Sequence, residues 1–90
     1  MSIERVLSIV NEKGLHARAS ARFVETVERF DAEAEVEKDG MSVTGDSIMG
    51  LLMLAASRGT EITVRTSGAE AEALMEALSA LVADRFGEEM

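Results

Sequence analysis

The chain has 90 residues, of which 47% are hydrophobic and 29% charged, and its formal net charge at pH 7 is −8. This composition fits one small globular domain, residues 1–90, rather than a disordered chain. The acidic balance argues against nucleic acid or an anionic membrane as a partner, because both require clustered lysine and arginine. The chain has no cysteine and one histidine, which excludes disulfides and argues against a metal site.

The sequence also carries no targeting or anchoring signal. No apolar run reaches the roughly 20 residues that a membrane span requires, and the first ten residues lack the features of a signal peptide. We therefore expect a cytoplasmic monomer that uses neither a metal nor another cofactor.

The first half of the chain predicts a strand, a helix and a hairpin. Residues 3–10 alternate in hydropathy and predict a strand, although Arg5 interrupts the pattern. Over residues 17–30 apolar residues recur at helical spacing and predict an amphipathic helix. Asp39-Gly40 then predicts a type I′ hairpin turn between two alternating segments. That turn fixes a register in which Val36 faces Val43 and Lys38 faces Met41.

The second half predicts a helix, a strand and a final helix. Asp46 and Ser47 offer capping oxygens for a helix over residues 48–56, and residues 60–65 predict a strand. Residues 67–70, Ser-Gly-Ala-Glu, fit a capping box that would begin the last helix. The predicted buried stripe of that helix is Leu74, Leu78, Leu81 and Val82. The order β-α-β-β-α-β-α predicts an α+β fold in which an antiparallel sheet carries its helices on one face.

The motif GLHARAS, residues 14–20, places the single histidine where the first helix begins. Residues 13–22 contain three cations and no acid, so this part of an acidic chain is locally electropositive. A helix start presents unpaired N–H groups to an anion and disfavours imidazolium. His16 could therefore attack a phosphoryl donor as a neutral nucleophile. The backbone N–H groups of Ala17 and Arg18 and the Arg18 guanidinium would then bind the acquired phosphate.

These residues can accept and release a phosphoryl group, and they indicate no further reaction. The sequence contains no P-loop, acidic metal cluster or second catalytic group that we could recognise. These residues predict a carrier between two proteins rather than an enzyme. The alternative interpretation of the same residues is that His16 is an ordinary polar surface residue.

GLHARAS, together with GDSIMGLLMLAASRGTEITV further along, resembles the HPr family, the histidine-containing phosphocarriers of the bacterial phosphoenolpyruvate-dependent phosphotransferase system. The resemblance implies an open-faced β-sandwich, a four-stranded antiparallel sheet with three helices on one face. It implies that enzyme I phosphorylates Nδ1 of His16, that Arg18 assists, and that enzyme IIA domains receive the group. Most members have proline where this chain has Ala19, which puts the rate of transfer in question rather than the chemistry.

The second helix carries two further expectations. The resemblance implies that HPr kinase/phosphorylase can phosphorylate Ser47, although Asp46 stands where regulated members often carry a basic residue. In a domain of this size a helix that is apolar on nearly every side must be partly exposed, and such a patch marks protein docking. The expected docking residues are Ile48, Met49, Leu52 and Met53.

Two other functions remain as alternatives. A regulatory paralogue, the nitrogen-branch carrier NPr, would use the same histidine to signal rather than to feed transport. A ferredoxin-like ligand-binding domain shares the first six predicted elements and would make His16 incidental. A hydrolase lacks the required parts. The role of residues 87–90 is open, and a solvated chain end is one interpretation of them.

Overall fold

The computed structural model describes residues 2–88, and its elements follow the predicted order. The strands are β1 (Ser2–Ser8), β2 (Glu33–Lys38), β3 (Met41–Thr44) and β4 (Glu61–Ser67). The helices are α1 (Ala17–Glu28), α2 (Ile48–Met53) and α3 (Ala71–Ala83), and a 3-10 turn, Arg85–Gly87, follows α3. The predicted β-α-β-β-α-β-α arrangement is confirmed.

The four strands form one antiparallel sheet in the spatial order β1-β4-β2-β3. At the β2–β3 hairpin, Asp39 and Gly40 have φ values of 51° and 84°. Positive φ at both central residues is what a type I′ turn requires. The predicted register is also confirmed, because Val36 pairs with Val43 and Lys38 pairs with Met41.

The helices cover one face of this sheet and share a single hydrophobic core with it. α3 packs on β1 and β4, and α1 packs against α2 and α3. The largest fully buried apolar side chains come from both layers: Phe23, Phe86, Ile9, Leu51, Ile62, Leu74, Met75 and Leu78. The predicted apolar stripe of α3 is buried at Leu74, Leu78 and Val82, and partly buried at Leu81.

The opposite face of the sheet is polar and uncovered. Arg65 in β4 donates to Glu4 at 2.7 Å, to Glu35 at 3.1 Å and to Glu37 at 2.9 Å. These pairs join β1, β4 and β2 across the sheet. Water screens exposed ion pairs, and the two side chains lose conformational freedom, so the network fixes side-chain positions more than it stabilises the fold.

Arg5, which interrupted the predicted alternation of β1, lies on the helix side of the sheet edge. Its guanidinium donates to Glu76 at 2.5 Å and to Ser79 at 3.2 Å, both on α3. An edge position allows a charged residue on the inner side, because the long side chain reaches past the core to water.

Several predicted boundaries differ from the observed ones by a few residues. β1 ends at Ser8 rather than at residue 10, and α1 ends at Glu28 rather than at residue 30. α2 ends at Met53 rather than at residue 56, because Ala55 adopts a left-handed φ of 51° that stops the helix.

The capping box predicted over residues 67–70 is wrong. Ser67 is the last residue of β4, and α3 begins at Ala71 with Glu70 as its N-cap and no side-chain capping bond. The Glu70 carboxylate instead accepts the N–H of Asp31 at 2.6 Å, and the Glu70 N–H donates to the Asp31 carbonyl. Glu70 therefore holds the α1–β2 connection rather than the start of its own helix.

Candidate functional site

His16 is the N-cap residue of α1, as the sequence predicted. Its backbone is extended, with φ −75° and ψ −177°, and its side chain makes no capping hydrogen bond. The first backbone bond of the helix runs from the Ser20 N–H to the His16 carbonyl at 2.8 Å. Among the residues described, the N–H groups of Ala17, Arg18 and Ala19 have no acceptor, so the helix start is open to an anion.

The loop before His16 is fixed by a close backbone approach. Gly14 has φ +64°, and a Cβ built on it would lie 2.3 Å from the Ala56 carbonyl oxygen. The neighbouring Leu15 N–H donates to that same oxygen at 2.9 Å. Only glycine allows this approach at this φ, so Gly14 sets where α1 begins and where His16 is presented.

The unexpected member of the site is Glu88. Its carboxylate oxygen Oε2 contacts Nε2 of His16, and its other oxygen, Oε1, accepts from Asn11 Nδ2 at 2.9 Å. Nδ1 of His16 is left without a hydrogen-bond partner among residues 2–88. Residues 13–22 contain no acid, but the fold places the Glu88 carboxylate, from the far end of the chain, against His16.

Glu88 reaches His16 because the preceding residues are packed on the domain. Phe86 is fully buried in the core, and the 3-10 turn that contains it contacts α1. Residues 87 and 88, for which the sequence suggested a solvated end, are thus partly built into the site. The one sequence signal for this packing was Phe86 followed by Gly87 among acidic residues. Residues 89 and 90 lie outside the described part of the chain.

The pKa of the Glu88 carboxyl is lowered from its usual value of 4.5. Burial alone would raise this pKa, but the hydrogen bonds from Asn11 and His16 more than offset that effect, with Lys13 adding a favourable charge.

This shift predicts a pH dependence of stability. A depressed carboxyl pKa stabilises the folded state above the unfolded-state pKa, and the contribution is lost as the pH falls through the folded-state value. The free energy of unfolding of the wild type should therefore fall more steeply below about pH 5 than that of Glu88→Gln. Urea denaturation at a series of pH values measures both curves; parallel curves would contradict the prediction.

Two arginines follow His16 on the exposed side of α1. Arg18 and Arg22 line a shallow surface groove together with Glu25 and Leu81. Within residues 2–88 neither arginine makes a side-chain hydrogen bond or ion pair. The Arg18 side chain is exposed and has no side-chain partner among these residues, and its predicted role toward an anion stays a prediction. Ala19 is buried, and its retained N–H adds one donor at that start.

The second helix presents its predicted residues partly to solvent. Met49 is 69% exposed, Met53 64% and Ile48 40%, whereas Leu52 is half-buried. Ser47 is the N-cap, and its Oγ accepts the Gly50 N–H at 3.0 Å. α2 packs against α1, so this apolar patch belongs to the same layer of the domain as His16.

No group of three or more His, Cys, Asp or Glu side chains among residues 2–88 could hold a metal ion. Across the same residues, no helix is long and apolar enough to cross a membrane.

The sequence and the fold both match known proteins. A family model described as "PTS HPr component phosphorylation site" matches residues 3–84. Phosphocarrier protein HPr from Neisseria meningitidis is 45% identical over 86 residues, which cover 96% of this chain and 97% of that protein. The HPr-like protein Crh of Bacillus subtilis is 39% identical over 80 residues, 89% of this chain and 94% of its own.

The structural match is equally extensive. The crystal structure of HPr-C-His from Thermoanaerobacter tengcongensis superposes with a TM-score of 0.93 at 39% identity, covering 98% of this chain and 99% of that one. The family model and these relatives identify a small phosphocarrier protein rather than a catalyst. The chain belongs to the HPr family of phosphocarrier proteins of the phosphotransferase system.

Proposed function

We propose that this protein accepts a phosphoryl group from phospho-enzyme I on Nδ1 of His16 and passes it to an enzyme IIA domain in the cytoplasm. The observation that carries the proposal is the geometry of His16. Its Nε2 is engaged by Glu88, while three N–H groups of the first turn of α1 lack an acceptor among residues 2–88. The nitrogen that remains for attack is Nδ1, and the helix start supplies donors for the phosphate it acquires.

Arg18 is proposed to assist by charge. Its exposed guanidinium, two residues beyond His16, makes no ion pair among the residues described and can donate charge-assisted hydrogen bonds to phosphate oxygens. Because phosphoryl transfer depends mainly on positioning and charge stabilisation, these groups supply what a carrier needs.

The direct test is intact-mass analysis after incubation with enzyme I, phosphoenolpyruvate and Mg²⁺. The wild type should gain one acid-labile phosphoryl group, and His16→Ala should gain none. Chase with a panel of enzyme IIA domains then identifies the acceptor, and transfer only to a nitrogen-branch enzyme IIA would identify an NPr-type carrier. Failure of phosphorylation, with enzyme I active on another HPr, would instead favour a docking or ligand-binding role.

The exposed patch Ile48, Met49, Leu52 and Met53 is proposed as the docking surface for these partners. Flexible methionine side chains can pack against several different proteins, and two of the three most exposed members are methionines. We expect Met49→Ala to raise the KM for phosphorylation by enzyme I and to leave kcat unchanged. We further propose that the protein acts as a monomer, which size-exclusion chromatography with light scattering would check.

Ser47 is proposed as a regulatory phosphorylation site for HPr kinase/phosphorylase. Its side chain caps α2 and is half-buried beside the docking patch, so an added phosphate would bring charge to an apolar interface. Incubation with the kinase, ATP and Mg²⁺ should add one phosphoryl group to the wild type and none to Ser47→Ala.

Asp46 is expected to slow this modification by charge repulsion, so Asp46→Asn should be phosphorylated faster than the wild type. An absence of modification in both proteins, with the kinase active on another HPr, would restrict Ser47 to capping. That capping role contributes about 1 kcal/mol to stability.

A further inference from the structure

Glu88 lies beyond residues 3–84, which the family model matches, and it contacts His16 inside that range. The carboxylate side chain is only 16% exposed and the imidazole 26%, so water screens their interaction weakly. A histidine nitrogen that donates to a carboxylate is held in one tautomer and one ring orientation, with the other nitrogen free to react.

The backbone that delivers Glu88 is held in an unfavourable conformation. Arg85 and Phe86 both have φ of 55°, and Gly87 has φ of 78°, so three consecutive residues are left-handed. Non-glycine residues rarely adopt this conformation, so contacts from the surrounding structure must hold them in it. Burial of Phe86 in the core supplies that constraint. The Glu88 N–H also donates to the Arg85 carbonyl at 2.9 Å.

Asn11 fixes the carboxylate from its other side. Its side chain is fully buried, and Nδ2 donates both to the Gly14 carbonyl at 2.9 Å and to Glu88 Oε1 at 2.9 Å. A rotated amide would place Oδ1 against two acceptor oxygens, so the orientation is determined. Asn11 thus connects Glu88 to the same loop that presents His16.

We propose that Glu88, held by Phe86 and Asn11, is a positioning residue for His16 that keeps the proton on Nε2 and directs Nδ1 to the phosphoryl donor. This role rests on the phosphocarrier function proposed above. As Nδ1 attacks, an Nδ1–P bond forms and the bond between phosphorus and the donor breaks, with its electron pair leaving on the donor. The proton stays on Nε2, and the Glu88 carboxylate stabilises the positive charge that develops on the ring.

The same arrangement also favours release of the phosphoryl group, when the Nδ1–P bond breaks. While Nε2 stays protonated, the phosphorylated ring is cationic and is a good leaving group for the next acceptor. Glu88 should favour that protonated ring by charge and by hydrogen bonding. Removing only the charge, in Glu88→Gln, and removing both the charge and the bond, in Glu88→Ala, separates these two contributions.

The first experiment needs no partner protein. Because the chain has one histidine, ¹⁵N-histidine labelling reports His16 alone. We expect the unphosphorylated wild type to show an Nε2-attached proton that the bond to Glu88 shields from exchange with water. The signal should be absent from Glu88→Ala and from Gly87→Ala. In Gly87→Ala the Arg22 side chain can move away from the added Cβ, but the φ of +78° strains an alanine in the turn that delivers Glu88 and leaves the Phe86 ring unchanged.

The second experiment measures phosphorylation by enzyme I. We expect kcat to fall about fivefold to tenfold in Glu88→Ala and less in Glu88→Gln, with KM unchanged in both. Glu12→Gln, an exposed glutamate in the loop before His16, is the control for loss of one nearby negative charge and should match the wild type.

The outcomes separate this proposal from the proposed function. A wild-type protein that shows the shielded Nε2 proton but accepts no phosphoryl group would overturn the carrier function and leave the Glu88–His16 pairing intact. Wild-type kcat in Glu88→Ala would overturn the positioning role while the carrier function stands. A raised KM with unchanged kcat would reassign Glu88 to docking, which also overturns the proposal.

Discussion

Replacing Gly14 by alanine is expected to lower the free energy of unfolding by about 3 kcal/mol, combining the cost of a left-handed alanine with that of displaced backbone. The new Cβ would lie 2.3 Å from the Ala56 carbonyl oxygen and 2.9 Å from Ser57 Cα. Both are backbone atoms, so neither can rotate away as a side chain would. Denaturation by urea, followed by circular dichroism, measures the loss.

Gly40→Ala is the matched control for this prediction. Gly40 also has a positive φ, +84°, but no atom lies within 4 Å of its added Cβ. This variant should therefore lose only the conformational contribution, about 1 kcal/mol. Equal losses in the two variants would show that the approach to Ala56 is not what requires glycine at position 14.

The Gly14 variant should also lose phosphoryl acceptance beyond its loss of stability. The Leu15 N–H donates to the Ala56 carbonyl oxygen, which the new Cβ would displace. His16 is the next residue after Leu15. A shift of this loop moves the nucleophile relative to its donors, and phosphoryl transfer is sensitive to such misplacement. Initial rates with enzyme I, measured where the variant is still folded, separate this effect from unfolding.

Phe86→Ala should have the second large effect, a loss of about 3–5 kcal/mol in the free energy of unfolding. The ring is fully buried in the shared core, so truncation leaves a cavity and releases the constraint on residues 85–88. The shielded Nε2 proton of His16 should disappear as well, under conditions where the remaining fold persists.

Phe30→Ala serves as the comparison, because Phe30 is only partly buried and lies just beyond the other end of α1. It should lose less stability than Phe86→Ala and keep the Nε2 proton signal. A loss below about 1.5 kcal/mol in Phe86→Ala would mean that the C-terminal turn packs more loosely than its burial indicates.

Much of the fold followed from local pattern. The Asp39-Gly40 turn fixed the hairpin register, and the spacing of Leu74, Leu78 and Val82 located the buried side of α3. Both depend on short-range rules that act within a few residues. The start of α3 was mispredicted because Glu70 bonds to Asp31, a contact 39 residues away that no local motif encodes.

The site also has a part that local sequence predicts and a part that depends on a distant contact. His16, Arg18 and the open helix start were predictable because they lie within one turn of each other. Glu88 was not, because 72 residues separate it from His16 and its approach depends on three left-handed residues. Non-glycine residues rarely adopt that conformation, so Arg85 and Phe86 gave no sequence signal for it.

The packing of the C-terminal turn decides where the protein can be labelled. A fluorophore attached within residues 85–88 would lie beside the groups that hold the imidazole, because the Glu88 carboxylate contacts Nε2 of His16. β1 runs towards the loop that carries His16, so a label at Ser2 is separated from that loop by the whole strand, about 20 Å. Kinetic and spectroscopic work on this carrier should therefore place its label at the start of β1 rather than near Glu88.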